Sequence, residues 1–227
     1  MSPTSSTAPS QASLGPVAQL RAGRLGRRLT QLLVGIALYG LSMAMMIRSA
    51  LGNMPWDVFH QGIARHLPVD FGTIVIAMSV LVLLLWIPLK ELPGLGTVAN
   101  SLLVGLFADL GLAVLPTPPS LWARGLLVVG ALLLNALATA LYLGAQFGAG
   151  PRDGLMTGLH RRTGVSVRVI RTALEVTVVA VGWLLGGALG LATVLYALAI
   201  GPLVQLLLPR LTVSLSRSGT ESGSGGT

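Results

Sequence analysis

Six long apolar stretches restrict what this chain can fold into more than any other feature. A helix that crosses the hydrocarbon core of a bilayer needs about 20 residues. Backbone N–H and C=O groups in lipid must be paired internally, so a spanning segment is a helix or part of a closed barrel. Runs of this length favour helices, and we expect an all-α, polytopic membrane helix bundle. The six predicted spans fall at about residues 30–50, 72–90, 94–116, 122–146, 167–187 and 190–209.

The composition is typical of a membrane protein and excludes several kinds of site. Hydrophobic residues make up 53% of the 227, charged residues only 10%, and the mean hydropathy is +0.80. A soluble domain has about 25% charged residues. The chain has no cysteine, which excludes disulfides, thiolate nucleophiles and cysteine-ligated metals. The three histidines are scattered, and no HExxH, P-loop or GxSxG motif is present. We therefore expect no enzyme activity and no metal or cofactor.

The formal net charge of +8 is explained by membrane topology rather than by a nucleic-acid partner. The arginines lie beside the apolar runs, where the positive-inside rule accounts for them. With a cytoplasmic N-terminus and six spans, 12 of the 15 Lys and Arg residues face the cytoplasm, leaving three outside: Arg48, Arg65 and Arg124. This bias predicts that both termini are cytoplasmic. The lipid bilayer is the expected partner, and a homo-oligomer stays open.

The chain carries an internal repeat with an offset of 96 residues. The turn GNMPWDVFHQG (52–62) recurs as GAGPRDGLMTG (148–158), with its glycines, proline and aspartate in register. Without a gap, residues 38–112 align with residues 134–208, with 22 identities in 75 positions. Each copy holds three predicted spans and one short helix. Because three is odd, we expect the second copy to be inverted in the membrane, as in many transporters.

The two short helices, predicted at 55–66 and 151–163, are too short and too polar to span. If both did span, the resulting eight spans would give the same 12-to-three charge tally, so the charges alone do not decide. Helix length favours six spans. We expect the short helices to lie at the interface or to enter the membrane as re-entrant segments.

The twin turns have a structural interpretation as helix starts. Proline suits the first helical position because its missing N–H is not needed there. An aspartate two residues later lies where a carboxylate stabilises the free N–H groups of the first turn. A glycine before each proline gives the chain a flexible approach. The residues that build these turns are Gly52, Pro55, Gly148 and Pro151.

The same turns have a functional interpretation. If both short helices enter the membrane from opposite faces, their N-termini approach each other and form a site for an ion or small solute. Asp57 and Asp153 would then be symmetry-related proton or cation ligands. The neighbouring residues differ, because Trp56 corresponds to Arg152. Arg152 would contact an anionic group or, alternatively, lipid phosphate.

Four more polar residues within the predicted spans are candidate ligands, since ionisable groups in membranes are costly. An alternative exists for each: Glu175 pairs with Arg171 one turn earlier, Asp109 lies in water near the outer interface, and the two asparagines bridge helices. The four tryptophans are interpreted as interface anchors. The four candidates are Asn100, Asp109, Asn135 and Glu175.

Four segments resemble the YczE/YyaS/YitT family of bacterial integral membrane proteins. They are GNMPWDVFHQG, LGTVANSLLVGLFADLG, GAGPRDGLMTGLHRRTG and YALAIGPLVQLLLP. The resemblance covers about residues 28–210 and departs from the family pattern at Asn53 and Met54. It implies a small multi-span protein of the bacterial inner membrane, with the Pro-x-Asp turns of both halves at Pro55 to Asp57 and Pro151 to Asp153. It implies location and fold rather than an activity.

The expected organisation has four parts: a disordered basic tail (1–28), a first repeat (29–116), a second repeat (117–210) and a disordered tail (211–227). An inverted repeat with polar turns favours a secondary-transporter-like or permease-like protein for a small solute or ion. The alternative is a non-transporting membrane accessory or scaffold protein, which would need the repeat only for stability.

Overall fold

The computed structural model describes residues 19–20 and 23–214, and every regular element in that part of the chain is an α-helix. The predicted all-α membrane bundle is thus confirmed. The predicted disordered tails, 1–28 and 211–227, lie mostly outside the described residues. Between residues 23 and 214 the helices are α1 (Leu25–Ser49), α2 (Pro55–Ala64), α3 (Phe71–Leu89), α4 (Leu95–Val114), α5 (Leu121–Gly144), α6 (Pro151–Thr163), α7 (Val167–Leu184) and α8 (Leu191–Leu211).

Five of these helices are long and apolar enough to cross a membrane: α1, α3, α4, α5 and α8. The remaining predicted span, 167–187, corresponds to α7, which has 18 residues. Three of these are charged, Arg168, Arg171 and Glu175, whereas each of the other five helices has a stretch of 18 residues with at most two charged side chains. The count of six spans therefore stays a prediction.

The first helix begins earlier than the sequence predicted. Residues 25–28, assigned to the tail, form the first turn of α1. Arg28 is fully buried there, and its guanidinium donates hydrogen bonds to the carbonyls of Gln19 (2.6 Å), Ala145 (2.9 Å) and Gln146 (2.9 Å). These acceptors explain how a charged side chain is buried at the end of a span, because a buried charge must be paired or hydrogen-bonded.

The equivalent helices α1 and α5 pack against each other and run antiparallel. Near the start of α1, a Cβ atom on Gly35 would lie only 2.8 Å from the backbone nitrogen of Tyr142, close to the end of α5. Further along α1, Ser42 meets Asn135, whose amide donates to the Ser42 hydroxyl at 2.8 Å. Small residues let helix backbones approach closely in membranes, and this pair forms the centre of the bundle.

Contacts between the two halves recur at the 96-residue offset. The Gly96 N–H, at the start of α4, donates to the Phe147 carbonyl at 2.8 Å, and the Ala192 N–H, at the start of α8, donates to the Leu51 carbonyl at 3.1 Å. Residues 96 and 192 differ by 96, as do 51 and 147. Each bond therefore ties a long helix of one half to the turn that precedes the short helix of the other half.

Glycine is required in both of these turns. Gly52 has φ +119° and Gly148 has φ +108°, a region that residues with a Cβ atom rarely adopt. A Cβ on Gly52 would lie 2.7 Å from the Gly190 nitrogen, and one on Gly148 would lie 2.9 Å from the Thr97 hydroxyl. Each turn is thus pressed against the start of α8 or α4, and it directs the following short helix.

Candidate functional site

The N-terminal ends of α2 and α6 meet inside the bundle. Arg152, the second residue of α6, lies with its Cζ atom 4.9 Å from the centroid of the Trp56 ring, which is on the second residue of α2. The Arg152 Nη2 atom is 3.9 Å from Oδ1 of Asp57. The meeting of helix starts expected from the functional interpretation of the turns is therefore what the structure shows.

A cavity of about 230 Å³ opens beside this junction. The beginnings of α2 and α6 contribute to its lining, and α1, α3, α4, α5, α7 and α8 form the rest of its walls. All three tyrosines of the chain line it, together with several apolar side chains. Its other polar lining residues are Ser79, Asn100, Thr139, Arg152, Asp153, Arg171, Glu175 and Gln205.

Two carboxylates line the cavity, each with a protein partner. Asp153 accepts a hydrogen bond from the Tyr142 hydroxyl at 3.1 Å. Glu175 accepts one from Nε of Arg171 at 2.9 Å, so the i,i+4 pair that the sequence offered as an alternative is formed. Both residues of this pair line the cavity.

Asp57 takes a position different from that of Asp153. It is 1% exposed and does not line the cavity. Its Oδ1 atom lies 3.2 Å from Nδ1 of the equally buried His60. Its Oδ2 atom has no hydrogen-bond partner among the described residues. The two repeat-related aspartates are therefore not equivalent: one lines the cavity, and the other lies behind Trp56 and Arg152.

Several donors at the cavity lack a hydrogen-bond partner in the described part of the chain. The Arg152 guanidinium donates no hydrogen bond there; its contacts are the Trp56 ring and the long approach to Asp57. The Trp56 ring is 7% exposed, and its Nε1 atom has no acceptor. A buried donor without a partner costs about 1–3 kcal/mol, so the junction of α2 and α6 is incompletely paired by its own side chains. The partly exposed Arg152 guanidinium, which lines the cavity, is the donor that a ligand with an acceptor oxygen would meet.

Comparison with known proteins identifies a family whose members are similar to this chain. Residues 26–209 match a family of unknown function (DUF6198). The chain belongs to this family. It is 41% identical over 177 residues to an uncharacterised protein of Haemophilus influenzae, which covers 78% of this chain and 81% of that protein.

Two relatives from Bacillus subtilis agree with the resemblance seen in the sequence. The uncharacterised membrane protein YczE is 29% identical over 189 residues, covering 81% of this chain and 86% of that protein. The uncharacterised protein YyaS is 24% identical over 180 residues, covering 78% and 90%. No solved structure matches the chain. The protein is therefore an integral membrane protein of this family.

Besides Asp57, two more of the predicted ligand residues lie outside the cavity of this family member. Asp109 accepts a hydrogen bond from the backbone N–H of Gly72 at 2.7 Å, so it satisfies a free donor at the start of α3. Asn135 is fully buried, and it accepts a hydrogen bond from Tyr196 at 2.8 Å while donating to Ser42. Asn135 thus joins α1, α5 and α8, as the helix-bridging alternative stated. Asn100, in contrast, lines the cavity.

Sequence reasoning missed the role of the aromatic residues. Trp122 and Trp183 are exposed, which fits interface anchors, but Trp56 and Trp86 are buried. Trp86 Nε1 donates to the Pro151 carbonyl at 3.0 Å and so holds the start of α6. The correspondence of Trp56 and Arg152 at one repeat position was the signal for their contact, because equivalent residues touch each other only near a two-fold axis.

Proposed function

We propose that the protein is a secondary-transporter-like permease that moves a small polar solute or ion by alternating access. The observation that carries this proposal is the meeting of the α2 and α6 N-termini at a polar cavity inside the bundle. In many inverted-repeat transporters, helix N-termini converge on the solute site in this way. Ionisable side chains in a membrane bundle are costly, so their grouping at one cavity favours a functional role over a purely structural one.

The relation between the two halves supports the proposal. The equivalent helices α1 and α5 run in opposite directions, as the contacts of Gly35 and Ser42 show. The backbone hydrogen bonds to Phe147 and Leu51 recur at the same offset. These features are what an inverted repeat predicts, with a pseudo-two-fold axis near Trp56 and Arg152.

A difference between the halves also supports alternating access. In the first half, α3 and α4 are in close contact: a Cβ atom on Gly105 would lie 2.3 Å from the Gly72 carbonyl oxygen. In the second half the equivalent positions are Arg168 and Gly201. A Cβ atom on Gly201 would meet nothing within 4 Å, and Gly201 lines the cavity. The seam between α3 and α4, at Gly72 and Gly105, is therefore closed. The equivalent seam between α7 and α8, at Arg168 and Gly201, is open.

This asymmetry defines the motion that we propose. In the other state, α7 would close on α8 at Gly201, while α3 and α4 would separate at Gly72 and Gly105. With six spans and both termini in the cytoplasm of a bacterial cell, the open α7–α8 seam faces the cytoplasm. The state described here would then be the inward-facing one.

A cross-linking experiment tests the motion directly. A disulfide requires Cβ atoms about 3.5–4.5 Å apart, and no neighbour of Gly201 comes within 4 Å of its Cβ position. In the double variant Arg168→Cys/Gly201→Cys, a disulfide therefore forms only if α7 moves onto α8. The chain has no native cysteine, so the bond is read from gel mobility after mild oxidation in native membranes.

The matched control is Arg168→Cys/Leu198→Cys, because Leu198 lies on α8 but is 71% exposed. We expect cross-linking of the Gly201 pair and little of the Leu198 pair. If the Gly201 pair cross-links no more than the control in folded protein, the bundle is static at this seam. That result would contradict the transport proposal and favour the membrane scaffold alternative.

A further inference from the structure

We infer that the solute is a small zwitterion with one carboxylate and one ammonium group, in the size range of an α-amino acid with a short apolar side chain. This inference rests on the proposed transport function for its biological meaning. It is drawn from the charges, the donors and the volume of the cavity, and it can be tested by binding alone.

The carboxylate pole is the junction of α2 and α6. Both helices begin there, at Pro55 and Pro151, and a helix N-terminus favours an anion. Arg152 supplies a guanidinium that donates no hydrogen bond in the described part of the chain, and a carboxylate is its best bidentate partner. The Trp56 ring, over which this guanidinium lies, also lines the cavity and forms part of the wall at this end. A carboxylate at this point would pair with Arg152 beside the two helix starts.

The ammonium pole lies elsewhere on the same cavity wall. Asp153 and Glu175 are carboxylates that line it. Tyr142 and Tyr196 line it too, and aromatic rings attract a nearby cation. An ammonium group has three donors, and these residues offer carboxylate and hydroxyl oxygens as acceptors. The site therefore offers a favourable environment for a cation as well as for an anion.

The balance of charge selects a zwitterion over a simple ion. The lining contains two guanidiniums, those of Arg152 and Arg171, and two carboxylates, those of Asp153 and Glu175. A simple anion would be attracted to one pole and repelled by both carboxylates. A simple cation would be repelled by both guanidiniums. A solute with both charges complements both poles and leaves neither unpaired.

The volume restricts the size of the solute. A cavity of about 230 Å³ lies below the roughly 300–1,000 Å³ of sites that hold drug-sized ligands. It is too small to enclose a whole peptide or lipid. Apolar side chains complete the wall beside the charged poles, and these are suited to a short aliphatic substituent. They are Val75, Val104, Met156, Ile200 and Val204.

The test is ligand-dependent thermal unfolding of the full-length protein in lipid nanodiscs. The probes are glycine, the other standard L-amino acids and glycine betaine, compared with propionate as a pure anion and ethylamine as a pure cation. We expect at least one small zwitterion to raise the unfolding midpoint by about 5 °C at a hundredfold excess over its Kd. Neither propionate nor ethylamine should do so at the same concentration.

Variants of the lining residues test which side chains bind the carboxylate of the solute and which bind its ammonium group. Arg152→Gln should weaken zwitterion binding about tenfold or more, because it removes a charge-assisted bond, and Trp56→Phe should weaken it to a smaller extent. Trp122→Phe is the matched control, since Trp122 is 87% exposed. Glu175→Gln leaves Arg171 without its carboxylate partner. It should shift the preference from the zwitterion toward propionate, a change in selectivity that general misfolding would not produce.

The outcomes separate this inference from the proposed function. If no zwitterion raises the midpoint, or if propionate or ethylamine does so equally well, the inference is wrong. If the zwitterion inference fails in this way but the Arg168→Cys/Gly201→Cys pair cross-links, the transport proposal still stands, with a different solute. If a zwitterion binds through Arg152 but the pair does not cross-link, the site is a zwitterion-binding site in a protein that does not transport.

Discussion

The guanidinium of Arg152 stacks 4.9 Å from the ring centroid of Trp56, although the two residues are 96 positions apart and occupy the same place in the two repeats. A pseudo-two-fold axis allows a residue to touch its own counterpart only where both lie close to that axis. This contact therefore locates the starts of α2 and α6 near the centre of the proposed inverted repeat. The cavity lies beside the same point.

The topology of the two short helices is the first prediction. Leu67 lies just beyond the end of α2, Thr163 is the last residue of α6, and both are exposed. In intact cells, Leu67→Cys should react with a membrane-impermeant maleimide, while Thr163→Cys should react only after lysis, because an inverted repeat places them on opposite sides. The cysteine-free parent protein is the control. Labelling of both from the same side would mean that the repeats are parallel.

A second prediction concerns the buried Arg28, which donates to two carbonyls of the turn before α6, those of Ala145 and Gln146, and to that of Gln19. Its Cζ atom lies 4.1 Å from the Phe147 ring centroid. Arg28→Gln should destabilise the protein by about 2–4 kcal/mol, because several charge-assisted bonds are lost at a buried site. The unfolding midpoint in detergent measures the effect. Arg27→Gln removes the same charge from an exposed position and should change little. Equal effects would show that net charge, not the buried contacts, matters.

A third prediction uses two equivalent glycines in opposite environments. Gly105→Ala places a methyl group against the Gly72 carbonyl and should cost about 1–3 kcal/mol through overpacking. Gly201→Ala meets open space and should be neutral or slightly stabilising, since alanine favours helix more than glycine. The difference between the two unfolding midpoints is the measurement. If both substitutions cost the same, the α7–α8 seam is closed in solution.

The two asparagines give a fourth prediction. Asn135→Ala leaves the Tyr196 hydroxyl without its acceptor and should destabilise the bundle by about 1–3 kcal/mol. Asn100→Ala should leave the unfolding midpoint unchanged, because within the described residues the Asn100 side chain makes no hydrogen bond. For the affinity of the zwitterion probes we expect the opposite order: Asn100→Ala should lower it more than Asn135→Ala does. A large stability loss for Asn100→Ala would contradict its assignment to the cavity.

The sequence by itself determined the class of fold and the positions at which the pattern of long apolar runs is interrupted. Apolar runs of about 20 residues can be satisfied in lipid only by helices or closed barrels, and the polar turns at Gly52 and Gly148 stand out because they interrupt such runs. The repeat offset also indicated which residues correspond. These are local or periodic features, and they do not depend on how the helices pack.

The tertiary structure alone decided which polar residues share a cavity. Asp57 and Asp153 correspond in the sequence, yet Asp57 is buried beside His60 and Asp153 lines the cavity, because the two halves of the chain pack these residues against different neighbours. Sequence periodicity predicts which face of its own helix a residue occupies, but not which residue of a neighbouring helix it contacts. The burial of Arg28 likewise depends on carbonyls more than a hundred residues away. Contacts between segments so distant in the chain are fixed by packing.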